Sequence, residues 1–375
     1  MSALPDCYCP LDGTRVPAGS LDWCCPVCRG PLDLDWAPTP ASLASLSGRV
    51  NSLWRYAECL PLAGPAECSL GEGRTPLVPL AGDVSAKLDF LMPTLSFKDR
   101  GAVMLAALAG RLRPERVIAD SSGNAGTAVA AYCARAQLAC TVYVPEGTSG
   151  KKVEQIRAHG ARLEIVAGDR EATARAARSV ADEPGVFYAS HVHNPYFLHG
   201  TKTYVHEVWE DLGGRLPEVL VVPVGNGTLL LGAALAIAEL HSAGLIDRRP
   251  ALHAVQTAAV APLARAWRDG AQDVVEAVPA VPTLGEGIAI PLPARARQIL
   301  RVVRESGGAV HTVTDDQIRH AQRDLASRGL FVESTGAACW AATREGGPVA
   351  AVLNGRAAVV PLCGAGLKTG LAESR

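Results

Sequence analysis

Two hydrophobic periods share this chain, and the switch between them marks its elements. Short apolar runs rich in Val, Ile and Leu alternate with longer stretches whose apolar residues recur every third or fourth position. From residue 101 the order is helix 102–112, strand 116–119, helix 126–136, strand 140–144, helix 152–159 and strand 163–166. A helix over 168–181 follows, then a loop at His191-Val192-His193-Asn194-Pro195 and a helix over 204–212. Residues 219–224 are apolar throughout, which places this strand centrally, buried on both faces. It runs into a helix over 229–240, and strands at 252–256, 309–313, 329–332 and 357–362 continue the series. Alternation at this spacing implies the α/β class, with parallel sheets covered by helices on both faces.

The pattern is weaker upstream. Residues 7–34 read as a small separate module, 37–46 as a linker and 50–59 as a short helix. Gly71-Glu72-Gly73-Arg74-Thr75-Pro76-Leu77 is a turn-rich loop ahead of a strand, and 85–90 is a candidate strand. The expected division is a module over 1–36, a large lobe from 37–100 with 204–375, and a smaller lobe over 101–203.

Composition narrows the class. At 375 residues and 48% hydrophobic, the chain is long enough for two lobes with a substantial core. Aromatics are only 5%, so that core must be built from Ala, Val and Leu. Lys and Arg total 36 against 37 Asp and Glu, which is not the footprint of a nucleic-acid binder. The first residues show no secretion signal, and the longest apolar stretch, 219–238, is broken at Pro223 and Gly225 into pieces too short to span a membrane. Eleven cysteines, odd in number and clustered at one end, suggest reduced thiols in a cytoplasm.

Three turns carry the candidate chemistry. Leu95-Ser96-Phe97-Lys98-Asp99-Arg100-Gly101 sets a lysine ahead of a helix. Ser121-Ser122-Gly123-Asn124 and Gly225-Asn226-Gly227-Thr228 each follow an apolar strand and open an Ala/Leu-rich helix. Glycine-rich backbone at a helix start forms a cup for a phosphate. A lysine amine can hold an aldehyde and later shuttle a proton, and burial would favour its neutral form. A dinucleotide site fits less well. After Gly225 and Gly227 the third glycine, Gly232, comes late, and the next strand ends in Gln256-Thr257 without an acid. In the N-terminal module, Cys25-Pro26-Val27-Cys28 closes on Gly30 as a complete metal knuckle, while Cys9-Pro10-Leu11-Asp12 has aspartate where a second cysteine is expected. Cys9, Asp12, Cys25 and Cys28 are the candidate zinc ligands, with Cys7 an alternative and Cys24 a spare. A degenerate ribbon packed by Trp23 and Trp36 is the rival reading.

Taken together, these segments resemble the fold-type II pyridoxal-phosphate (PLP) enzymes, and within them the threonine synthase-like family. The likeness runs from Glu72 through Gly366 and includes Asn194-Pro195, Gly200-Thr201-Lys202-Thr203, Gln256 with Ala261-Pro262-Leu263, and Glu333-Ser334-Thr335. It implies two open parallel-sheet lobes with the active site in the cleft between them, preceded by a small zinc-ribbon-like module. It also implies PLP as cofactor, a small amino acid as substrate, and a homodimer. On that likeness Lys98 is the catalytic residue, and Phe97, Lys98, Asn124, Gly225, Asn226, Gly227, Thr228 and Cys363 bind the cofactor. Ser121, Ser122, Gly123 and Asn124 grip the substrate carboxylate. Cys363 stands where threonine synthases usually have threonine and some serine dehydratases have cysteine. The family's substrate-phosphate contacts, an Asn-Ser pair and an arginine, are replaced here by His191-Val192 and Phe197. His191, His193 and His199 offer another anchor, of which His191 is the substrate-binding candidate. The expectation is a lyase or synthase acting at Cβ or Cγ, with threonine synthase proper and a non-catalytic PLP-binding protein as the alternatives.

Overall fold

In the computed structural model, which describes residues 4–62, 67–148 and 150–372, the alternation beyond residue 101 folds as a sheet of four parallel strands. Their order is Arg162–Val166, Cys140–Pro145, Arg116–Ala119 and Val186–Tyr188. The helix Lys98–Leu112 runs through the middle of this unit's core, with every residue from Asp99 to Ala109 buried. Alanines at 102, 106, 107 and 109 let neighbours approach, and Val117, Val129, Tyr132, Phe187 and Phe197 fill the space around them. Two glycines set the closest approach. A Cβ on Gly101 would overlap the Phe197 ring, and one on Gly200 would overlap the Arg100 carbonyl. The helix Pro195–Thr201 therefore lies directly against Lys98–Leu112.

That helix and the strand Val186–Tyr188 are additions to the expected list. The strand is three buried residues long, too short for a period to show. The helix opens on proline and contains glycine, both of which read as loop signals.

The second sheet has six strands in the order Val310–Val313, Ala251–Thr257, Val219–Pro223, Ala358–Pro361, Val84–Lys87 and Leu77–Ala81. All pairs are parallel except the last, where Leu77–Ala81 returns antiparallel on Val84–Lys87. Val219–Pro223 is central, and its first four residues are fully buried, as an all-apolar strand requires. The strand expected at 329–332 does not form. Gly329 turns the chain at φ +81° after the helix Asp315–Ser327, only Val332 makes a bridge, to Ala365, and the Gln322 amide takes the Val332 carbonyl. The short helix expected at 50–59 is a 3-10 helix, Leu53–Cys59, and the linker contains another, Leu43–Leu46.

The chain divides into two compact units, Met1–Gly73 with Met92–Thr201, and Arg74–Leu91 with Lys202–Arg375. This partition differs from the expected one at residues 37–73 and 92–100, which fall in the first unit, and at 202–203, which fall in the second. Residues 92–100 go with the helix they start, since its first turn is locked to Thr94. The N-terminal module, three short antiparallel strands at Cys7–Tyr8, Arg15–Val16 and Asp33–Leu34, is not a unit of its own. Leu34 and Trp36 pack into the main core, and Trp23 packs with Ala177, Val186 and Tyr188. Among the described residues no helix is long and apolar enough to cross a membrane.

Candidate active site

In the first unit the site grows from the start of the helix Lys98–Leu112. The Asp99 carboxylate accepts from the Thr94 amide at 2.7 Å and from its hydroxyl, closing a turn ahead of the helix. Within the turn Leu95 sits at φ +62°, a left-handed conformation that costs a residue with a Cβ about 1–2 kcal/mol. The strain is held by the buried Thr94–Asp99 lock and sets the direction in which residues 96–98 leave it. Lys98 is thereby the first helical residue, half-buried, with Nζ 4.4 Å from the Phe97 ring centre and 5.6 Å from that of Phe197. Phe197 is fixed by its contact with Gly101.

His191 joins this group. Its ring stands edge-on to Phe197 at 5.8 Å. Burial, then the charges of Lys98, Arg170 and His193, hold its imidazole well below the usual histidine range, so it is neutral near pH 7. The other two histidines have different neighbours. His193 Nδ1 bonds the Ser190 hydroxyl at 3.1 Å, with Trp23 edge-on at 4.9 Å. His199 lies against Trp36 at 5.3 Å.

Ser121–Asn124 follows the strand Arg116–Ala119 and opens the helix Asn124–Arg135. Serine and asparagine are the usual helix caps, yet the cap here is Gly123, with no side-chain bond. Ser121 Oγ accepts from the Gly123 amide at 3.3 Å. A Cβ on Gly126 would overlap the Ser121 carbonyl, so the turn folds back tightly on the first helical residues. The strands Arg116–Ala119 and Val186–Tyr188 are parallel neighbours. The Ser121 turn and the His191 turn therefore leave their unit's sheet at the same carboxyl edge, where α/β sheets bind ligands.

The second unit repeats the arrangement. Val219–Pro223 delivers Gly225-Asn226-Gly227 to the helix Thr228–Ser242, capped by Gly227 at φ +75° with no side-chain bond. A Cβ on Gly225 would come within 3.1 Å of the Gly287 carbonyl and 3.0 Å of Ile288 Cα. Bare backbone is therefore the only backbone that fits. Gln256 braces the entry to this turn: its side chain donates to the Val224 carbonyl at 3.4 Å and accepts from the Ala264 amide at 3.0 Å. Ala358–Pro361, parallel to Val219–Pro223, leads to Cys363, which is buried with Sγ 3.9 Å from the Pro361 carbonyl.

Several residues that carried no candidate role brace the first unit. Thr94 and the left-handed Leu95 carried no motif. Glu72, read only as a motif letter, is a buried hub accepting from the Trp54 indole, the Ser69 hydroxyl and the Leu70 amide. The metal candidates Cys9, Asp12, Cys25 and Cys28 do converge. Cys7 is not among them: it lies in a strand paired with Val16 and Leu34.

The first unit thus presents an amine beside a helix start and the second a glycine-led helix start, and comparison supplies the class. The family model described as "Pyridoxal-phosphate dependent enzyme" matches residues 68–365, and the chain belongs to that family. Among curated proteins it is similar to the threonine synthase of Methanosarcina acetivorans, 31% identical over 346 residues, covering 89% of this chain and 84% of that one. The threonine synthase of Methanocaldococcus jannaschii is 31% identical over 311 residues, covering 80% and 76%. Among solved structures, a threonine deaminase from T.th. superposes with a TM-score of 0.64 at 25% identity, covering 78% of this chain and 92% of that one. Maize serine racemase shares the fold, with a TM-score of 0.66 at 20% identity and coverage of 78% and 88%. The chain is accordingly a PLP-dependent enzyme of the lyase and synthase kind.

Proposed function

We propose that the enzyme eliminates or replaces a group at Cβ of a small polar amino acid, with Lys98 as the catalytic amine. Bound PLP supplies an aldehyde to take up the substrate amine and a ring to accept the electron pair released at Cα. The residues present suit that group. The start of the 15-residue helix at Thr228, whose cap is a glycine without a side chain, would turn amides and a positive dipole end to the phosphate, and the Gly225 turn has no room for a side chain. Lys98 would hold the aldehyde, and its free amine would take the Cα proton. Phe97 and Asn124 flank the cofactor, while the Ser121–Asn124 turn binds the substrate carboxylate through hydroxyls and backbone amides.

Cys363 would be the residue that holds the cofactor's ring nitrogen. A neutral thiol cannot force protonation there as a carboxylate would. The electron sink is then moderate, which favours loss of a leaving group over transamination.

One observation carries the preference for a small polar substrate. At the place where the family's phosphate-binding arginine is expected stands Phe197, fully buried, and His191 beside it is held neutral. A substrate phosphate would lack the partner it prefers. Threonine synthase proper, acting on O-phosphohomoserine, is the second reading, favoured by the relatives at 31% identity. Incubation with serine, threonine, their acetyl and phosphate esters and O-phosphohomoserine, with product analysis, separates the two. Keto acid or β-substituted product from the serine and threonine set is expected. Threonine and phosphate from O-phosphohomoserine alone would overturn the preference. We further read the enzyme as a cytoplasmic homodimer, testable by light scattering of the purified protein.

A further inference from the structure

Two turns of the N-terminal module are conformational copies of one another. The Cys9 amide donates to the Thr14 carbonyl at 2.8 Å and the Gly13 amide to the Cys9 carbonyl at 3.0 Å. Sixteen residues on, the Cys25 amide donates to Gly30 at 2.9 Å and the Arg29 amide to Cys25 at 2.9 Å, the same two bonds in the same register. Gly13 and Arg29, the matching residues, are both left-handed, at φ +77° and +60°. In each turn the amide two residues beyond the first cysteine donates to its sulfur, Leu11 to Cys9 and Val27 to Cys25, both at 3.4 Å. The copy extends to the fourth residue: Asp12 occupies in the first turn the place that Cys28 holds in the second. The Thr14 amide fixes its carboxylate at 2.9 Å.

The two turns face each other. One ligand atom from each of Cys9, Asp12, Cys25 and Cys28 lies within 4.8 Å of all the others. Cys9 Sγ is 3.5 Å from Cys28 Sγ, and Cys25 Sγ is 3.4 Å from Asp12 Oδ2. A disulfide needs about 2.05 Å between sulfurs. A tetrahedral zinc with bonds of about 2.3 Å to sulfur and 2.0 Å to oxygen holds its ligand atoms about 3.5–3.8 Å apart. The observed spacings match the second geometry and not the first.

What the site would hold together is specific. The segment that contains Cys25 and Cys28 is flanked by Trp23 and Leu32. The Trp23 ring meets Tyr188 at 5.2 Å and His193 at 4.9 Å, both edge-on, and its Nε1 donates to Asp182 at 2.8 Å. The Leu32 amide donates to the His193 carbonyl at 3.2 Å. These contacts clamp the turn that carries His191.

We propose that Cys9, Asp12, Cys25 and Cys28 form a tetrahedral zinc site, and that the metal positions the His191 turn through Trp23 and Leu32. An aspartate among three thiolates makes the site less soft than an all-cysteine one, in keeping with zinc rather than copper(I). The proposal stands on the module's own geometry and does not depend on the reaction assigned above.

The test uses the full-length protein purified without chelator. Elemental analysis is expected to find one zinc per chain. Cobalt added after chelation should give the visible bands of a tetrahedral ion and an ultraviolet thiolate charge-transfer band. Cys25→Ser should lose both, and Asp12→Ala should weaken binding while Asp12→Cys restores it. Metal removal should raise amide exchange over residues 188–194 at least about tenfold, leaving the strand Val219–Pro223 unchanged. Absence of stoichiometric metal together with a cobalt spectrum lacking the sulfur band would overturn the site. Wild-type affinity in Asp12→Ala would remove Asp12 from the ligand set. Unaltered exchange at 188–194 would refute the positioning role.

Discussion

Lys98 owes its place to neighbours that do no chemistry. Asp99 locks Thr94, Leu95 accepts a left-handed backbone, and Gly101 lets Phe197 close over the amine. Replacing Lys98 by Ala should cut turnover by at least about 10²–10⁴-fold and abolish the absorbance of covalently held cofactor, with folding retained. Gly200→Ala should act the other way. It forces a Cβ into the Arg100 carbonyl, and urea unfolding should show a loss of about 1–3 kcal/mol. At this scale the candidate turns were legible in the sequence, because a lysine and glycine turns ahead of helices are local patterns. The Thr94–Asp99 lock and the forced glycines at 101 and 200 were not, because their reasons lie in packing against residues distant in the chain. His191, already the substrate-binding candidate among the three histidines, packs edge-on against Phe197 and feels the Lys98 charge, surroundings that no local pattern supplies.

One helix start and one strand pair decide the behaviour of whole elements. At the start of Thr228–Ser242, Gly227 combines a left-handed backbone with a position where a Cβ would overlap Ile299. Gly227→Ala should therefore cost at least about 1–2 kcal/mol in backbone strain and weaken PLP binding, read by cofactor titration. In the large sheet, Ala251–Thr257 and Val310–Val313 bring His253 Nδ1 within 2.9 Å of His311 Nε2. Burial, with His311 and Arg356 nearby, pushes His253 down to about 4, and burial lowers His311 too. The unfolded chain takes up these protons near pH 6.5, whereas the folded pair resists them. Stability should thus fall as pH drops from about 6.5 towards about 4, and His253→Gln should flatten that slope in pH-dependent urea titrations. Long periodic elements were readable to within a few residues. Val186–Tyr188 was too short to show a period, Pro195–Thr201 was hidden by its proline and glycine, and 329–332 is apolar enough for a strand but is turned aside at Gly329.

Across the whole molecule, membership of the PLP-dependent family accounts for both sheets and for most of the motif residues. The N-terminal module is part of the first unit rather than an appendage. Its boundary escaped a composition-based reading because Trp23, Leu34 and Trp36 bury themselves in a core built mainly by residues far along the chain. The central claim is that one amine, on Lys98, carries the cofactor. Borohydride reduction of the purified protein loaded with PLP, followed by peptide mapping, is the decisive test: the pyridoxyl label is expected on Lys98 alone. A label on any other lysine, or a protein that takes up no PLP, would contradict it.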